Sequence, residues 1–135
     1  MPSDHVVVPA RAWQRGSPVE RWRRVALASA KQCGRAVVPE VAAVLAFDDL
    51  WAPARYGATI ICAEPSRALR RDEASPGARP SSALVCVGPE GGWSSRELAL
   101  ADGHGARRLS LGPRTLRASA APTVALASLW TTWGW

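Results

Sequence analysis

Ala83-Leu84-Val85-Cys86-Val87-Gly88-Pro89-Glu90-Gly91-Gly92-Trp93-Ser94-Ser95-Arg96-Glu97 is the stretch that decides the fold. Its first five residues form an uninterrupted apolar run, the composition of a strand covered on both faces. Gly88 to Gly92 ends that run with a glycine-rich turn. Ser94-Ser95-Arg96-Glu97 then matches a capping box, in which the Ser side chain and the Glu side chain each satisfy the other's free backbone N–H. The helix it opens is expected over 94–102, with Gly103 and Gly105 where a helix stops. Buried strand, glycine turn and capped helix in succession make half of a parallel strand–helix–strand unit.

The same pattern recurs on either side. Ala58 to Ala63 (ATIICA) reads as a second buried strand and Arg108 to Leu111 as a third. A final helix is expected from Ala118 onward, with Pro122 in its first turn, where a missing N–H does no harm. Leu126, Leu129, Trp130 and Trp133 are placed on its apolar face. Near the start, Ser17-Pro18-Val19-Glu20 is another capping box, with Pro at the first helical position. It opens a helix over 17–35 whose apolar face is Val19, Trp22, Ala26, Ser29 and Cys33, stopped at Gly34. Val6-Val7-Val8 reads as a strand or an extended arm, Val37-Val38-Pro39 as a short edge element, and Asp48 as the cap of a short helix through Leu50 and Trp51. The stretch 64–82, rich in Arg, Ser, Pro and Gly, reads as a loop. Strand alternating with helix defines an α/β domain with a mostly parallel sheet.

The 135 residues suit one domain, and 47% hydrophobic with 21% charged residues excludes a wholly disordered chain. Seventeen basic against eleven acidic residues give a net charge of +6, and every basic residue but Lys31 is an arginine. Arginine forks bind phosphate bidentately and stack on bases; a genome rich in arginine codons produces the same count. Arg21, Arg24, Lys31 and Arg35 lie mostly off the apolar face of the first helix, as a solvated face or an RNA contact. The three cysteines, Cys33, Cys62 and Cys86, match no metal spacing, and their odd number argues against a disulfide framework. Cys62 and Cys86 read as buried small hydrophobes, and reduced thiols suit the cytosol. No charged leader followed by an apolar stretch opens the chain, and no run reaches the roughly 18 apolar residues of a membrane helix. His5 and His104 are isolated surface groups.

A glycine turn at the carboxyl end of a buried strand stands where open α/β sheets bind ligands. Its glycines permit close backbone approach, although a plain tight turn has the same composition. It is neither the dinucleotide fingerprint nor a phosphate loop, since no Lys-Ser/Thr follows. Leu111-Gly112-Pro113-Arg114-Thr115-Leu116-Arg117 follows the next strand and would line the same crevice. Glu90 reads as a base or, more in keeping with a tight turn, as an acceptor of backbone N–H groups.

These motifs carry a family resemblance. VGPEGGWSSREL followed by RLSLGPRTLRASAAPTVAL resembles the signature of the 16S rRNA (uracil-N3)-methyltransferases, the family of ribosomal RNA small subunit methyltransferase E. Upstream, ERWRRVALASAKQCGRAVVPEV resembles that family's helix and following strand, so the resemblance runs over about 19–129. It implies a SPOUT-type parallel sheet with a C-terminal trefoil knot, S-adenosyl-L-methionine as cofactor, a homodimer, 16S rRNA of the small ribosomal subunit as substrate, no metal and no membrane. By resemblance, Ala63 and Glu64 after the Cys62 strand end form the first cofactor loop. Gly88, Pro89, Glu90, Gly91 and Gly92 form the second, and Leu111, Gly112 and Leu116 the third. Arg117 or Arg114 would favour the uracil anion left when N3 loses its proton; both arginines serve equally as phosphate contacts, Arg114 and Arg35 being the RNA-binding candidates.

Two departures accompany the resemblance. Family members usually carry an N-terminal β-barrel RNA-binding domain, and neither it nor the first strand and helix of the SPOUT domain is expected in 1–135. Many members also have an acid where Ser119 stands. Ser119 retains the ability to cap the final helix, but any acid that orients Arg117 is lost. The alternatives to a methyltransferase of this substrate are a non-catalytic module that binds RNA or protein, and a SPOUT enzyme of another RNA.

Overall fold

A computed structural model of the chain describes residues 18–51, 56–67 and 79–134. The Val6-Val7-Val8 element and the Ser17 cap lie outside them. The described elements are α1 (Pro18–Gln32), β1 (Ala58–Cys62), β2 (Ala83–Val87), α2 (Ser95–Gly103), β3 (Arg107–Leu109) and α3 (Ala121–Trp133), with 3-10 turns over Asp48–Trp51 and Pro65–Arg67. The strands form one sheet in the order β2-β1-β3. Both pairings are parallel, with Ile61 opposite Cys86 on one side and Arg108 on the other.

The apolar runs produce this sheet because both its faces are covered. Alternate residues of a strand point to opposite faces. Ile61 and Cys86 join Leu98 and Ala101 of α2, together with Phe47, Trp51 and Trp93. Ile60 and Leu109 face the other way and pack with Leu129 and Trp133 of α3. The result is helix, sheet, helix in three layers, as α/β patterning requires.

The caps of α2 and the stop of α1 match the sequence. The Ser94 hydroxyl accepts from the Glu97 N–H at 3.2 Å while the Ser94 N–H donates to Glu97 Oε2 at 2.8 Å. Glu97 is the only buried charged residue among those described, and this bond explains its burial. Gly105 takes φ +74°, and the 106→101 and 105→102 backbone bonds close α2 as a Schellman motif. The same two bonds, 35→30 and 34→31, close α1 at Gly34.

Four expectations need correction. Val37-Val38-Pro39 forms no strand: Pro39 has no N–H to give a ladder, and the nearby Val41 carbonyl instead accepts from Arg23 Nε at 3.2 Å. Ser119 does not cap α3; Ala120 holds the N-cap position without a side-chain bond. The third strand is Arg107–Leu109 rather than 108–111. The apolar face of α3 is also divided. Ala121, Ala125, Leu129 and Trp133 are buried at four-residue intervals, whereas Leu126 and Trp130 are 54% and 60% exposed.

Candidate ligand-binding cleft

Parallel strands end on the same edge of a sheet, so the loops that leave β1, β2 and β3 meet there. They enclose one cleft, lined by Cys62 to Pro65, by Val87 to Trp93, and by Leu111, Gly112 and Arg114 to Leu116, with Ala121 of α3 closing it. All ten residues expected from the resemblance to hold a cofactor are in that lining: Ala63, Glu64, Gly88, Pro89, Glu90, Gly91, Gly92, Leu111, Gly112 and Leu116. Arg114 joins them at the third loop. Arg117 is not in the lining; it is exposed, and its carbonyl accepts from the Ala120 and Ala121 N–H groups in the turn that leads into α3. Arg35 follows the turn that closes α1 and is not in the lining.

Backbone geometry shapes the second loop. Gly92 donates its N–H to the Pro89 carbonyl at 2.9 Å and has φ +74°, a conformation that L side chains resist. A Cβ at Gly92 would stand 3.7 Å from Glu64 Oε1, so the Glu64 carboxyl lies over the bare face of that turn. In the third loop the Ser110 hydroxyl donates to the Gly112 carbonyl at 3.0 Å. Val87, Leu111, Leu116 and Ala121 add apolar surface, while Glu64, Glu90 and Arg114 bring charge of both signs.

The residue that sequence reading missed is Trp93. It is buried at 3% exposure, among the core residues. It also lines the cleft, and its indole N–H donates to the Cys62 carbonyl at 2.8 Å. Thr115 lines the cleft as expected of the 111–117 loop, while Pro65, Val87 and Ala121 were missed as well. Their one sequence signal was adjacency to the glycine loops.

Among the described residues there is no cluster of three or more His, Cys, Asp or Glu able to hold a metal, and no helix long and apolar enough to cross a membrane. Burial pushes the Cys62 thiol up to about 11 and, with the neighbouring Cys62 adding to the effect, the Cys86 thiol up to about 12. Neither is a nucleophile near neutral pH.

A three-layer parallel fold with its strand-end loops gathered into one cleft is the form of a small-ligand-binding α/β domain. Residues 1–130 match the family of the RNA methyltransferase domain, and the chain belongs to that family. It is 36% identical over 119 residues to ribosomal RNA small subunit methyltransferase E of Synechocystis, covering 82% of this chain and 38% of that protein. The enzyme of the same name from Mycobacterium bovis is 36% identical over 115 residues, covering 82% of this chain and 44% of that one. Among solved structures, a methyltransferase from Legionella pneumophila in complex with S-adenosylmethionine superposes with a TM-score of 0.82 at 28% identity, over 96% of this chain and 52% of that one. Ribosomal RNA small subunit methyltransferase E of Neisseria gonorrhoeae, bound to S-adenosylmethionine, gives 0.79 at 29%, over 97% and 53%. The chain thus spans about half the length of these solved relatives and less than half of the curated ones.

Proposed function

We propose that the chain is the cofactor-binding part of an S-adenosylmethionine-dependent methyltransferase that acts on N3 of a uridine in 16S rRNA, as a knotted SPOUT-type homodimer in the cytosol. The observation that carries this reading is the convergence of three strand-end loops on one cleft that contains every residue expected to hold the cofactor.

The cleft fits that cofactor in kind. Its apolar residues and main-chain groups suit an adenine ring. Glu64 and Glu90 suit a ligand with cationic centres and disfavour a nucleotide's phosphates, since like charges in one site repel. Backbone groups of the three loops would hold the adenine and the methionine tail. When bound, S-adenosylmethionine supplies a methyl group already activated on a sulfonium. The protein's part is positioning: uracil N3 has to be held against the methyl carbon. Arg114, on the third loop, favours loss of the N3 proton by stabilising the ring anion; Arg117, the other candidate, would need its side chain to swing toward the cleft. Ala121 shares the cleft lining with the β1 and β2 loops, in keeping with a final helix threaded back through them, as in a knot.

Calorimetric titration of the chain with S-adenosylmethionine tests the cofactor, and transfer of a labelled methyl to 16S rRNA tests the reaction. Saturable one-site binding is expected. A folded chain that does not bind would exclude the cofactor and leave an RNA- or protein-binding module. Unchanged methyl transfer in both Arg114→Ala and Arg117→Ala would remove the arginines from the chemistry.

A further inference from the structure

We propose that Trp93 is a positioning residue for the cleft: its indole N–H ties the first loop to the second and so sets how firmly the cleft grips its ligand. The exit of β1 is held on both flanks. On one side the Ala63 N–H donates to the Leu109 carbonyl of β3 at 3.0 Å. On the other, one residue earlier, the Cys62 carbonyl accepts from Trp93 Nε1 at 2.8 Å, in a buried bond. Ala63 and Glu64 therefore leave the sheet from a point fixed toward both of its neighbours.

Trp93 fixes the second loop as well. A Cβ on Gly88 would stand 2.9 Å from Trp93 Cε2 and 3.0 Å from Nε1, so the indole fills the space that a side chain at 88 needs. The glycine there makes room for the tryptophan. Phe47 backs the ring at a centroid distance of 5.2 Å without lining the cleft. One side chain thus joins the end of β1 to the loop that leaves β2, and its neighbour Ser94 caps α2.

The binding half of the test rests on the S-adenosylmethionine reading; the other half does not. Trp93→Phe retains an aromatic ring and deletes the donor, leaving a buried carbonyl unpaired. Phe47→Leu loosens the same core and leaves the donor in place. In the full chain, Trp93→Phe is expected to weaken S-adenosylmethionine binding roughly ten-fold, with Phe47→Leu within about two-fold of the parent at a comparable loss of Tm. Without ligand, Trp93→Phe should also speed hydrogen exchange at the Ala63, Glu64, Gly91 and Gly92 amides. Gly88→Ala, which displaces the ring, should speed the same exchange without ligand, and that readout replaces Trp93→Phe if the latter does not fold; exchange is its one readout, since Gly88 itself lines the cleft. Equal weakening by Phe47→Leu, or unchanged exchange at those amides, overturns the proposal. If the parent does not bind S-adenosylmethionine, the cofactor reading fails and the exchange measurement alone decides on Trp93.

Discussion

Cys62 and Cys86 stand in adjacent strands, but the register sets Cys86 opposite Ile61, so the two thiols face opposite sides of the sheet. Both are buried, and Cys33 is exposed. Iodoacetamide near neutral pH should therefore modify Cys33 alone among the three in the native chain, and all three after unfolding, as read by intact mass. Their raised thiol values also make stability depend on pH. A thiol whose folded value exceeds its unfolded one stabilises the fold below the unfolded value, 9.0, and loses that effect as pH rises through about 11 to 12. Denaturant melts at about pH 8 and about pH 10.5 should show stability falling by up to a few kcal/mol, with a smaller fall in Cys86→Ala. At this scale the sequence was readable where a residue acts on near neighbours, as in Ser94 with Glu97. It was silent where a contact depends on how one loop faces another. Gly88 read only as a glycine for ligand approach or a tight turn because nothing local shows that the indole five positions on folds back over it.

The boundaries of α2 followed its caps. Loss of the Ser94 hydroxyl in Ser94→Ala should lower stability by about 1 kcal/mol, the usual cost of an N-cap. The faces of α3 were less legible. Leu126, Leu129, Trp130 and Trp133 all fit a single broad helical stripe, and helical period alone cannot say which half of such a stripe meets the sheet. The small Ala121 and Ala125, in line with Leu129 and Trp133, let the helix approach closely and settle the matter. Leu129→Ala should therefore cost about 2–4 kcal/mol in denaturant unfolding, whereas Leu126→Ala should stay below about 1 kcal/mol. Val37-Val38 failed as a strand for a different reason: β-branched residues favour extended backbone, but a strand also needs a partner edge, and the proline beside them withholds a donor.

The layered α/β arrangement was legible because apolar runs without alternation, each followed by a glycine turn, belong to strands covered on both faces. The order β2-β1-β3 was not, since no local pattern says which strand lies in the middle. Leu126 and Trp130 leave an apolar patch exposed on one flank of α3, which the proposed homodimer would bury. Trp130→Glu is expected to turn a dimer into a monomer in light scattering without altering circular dichroism; a monomeric parent chain would refute the dimer directly.

The central place of β1 has a consequence during synthesis. Both its partners come later in the chain, and each joins in parallel, so neither can zip onto it from a tight hairpin. As the chain leaves the ribosome, Ala58–Cys62 emerges with two open edges and waits for β2 and then, beyond α2, for β3. Pairings between distant segments form slowly, and an apolar strand unpaired on both sides is a template for other nascent chains. The strand that anchors the first cleft loop in the finished molecule is thus, on the polysome, the segment most in need of a chaperone.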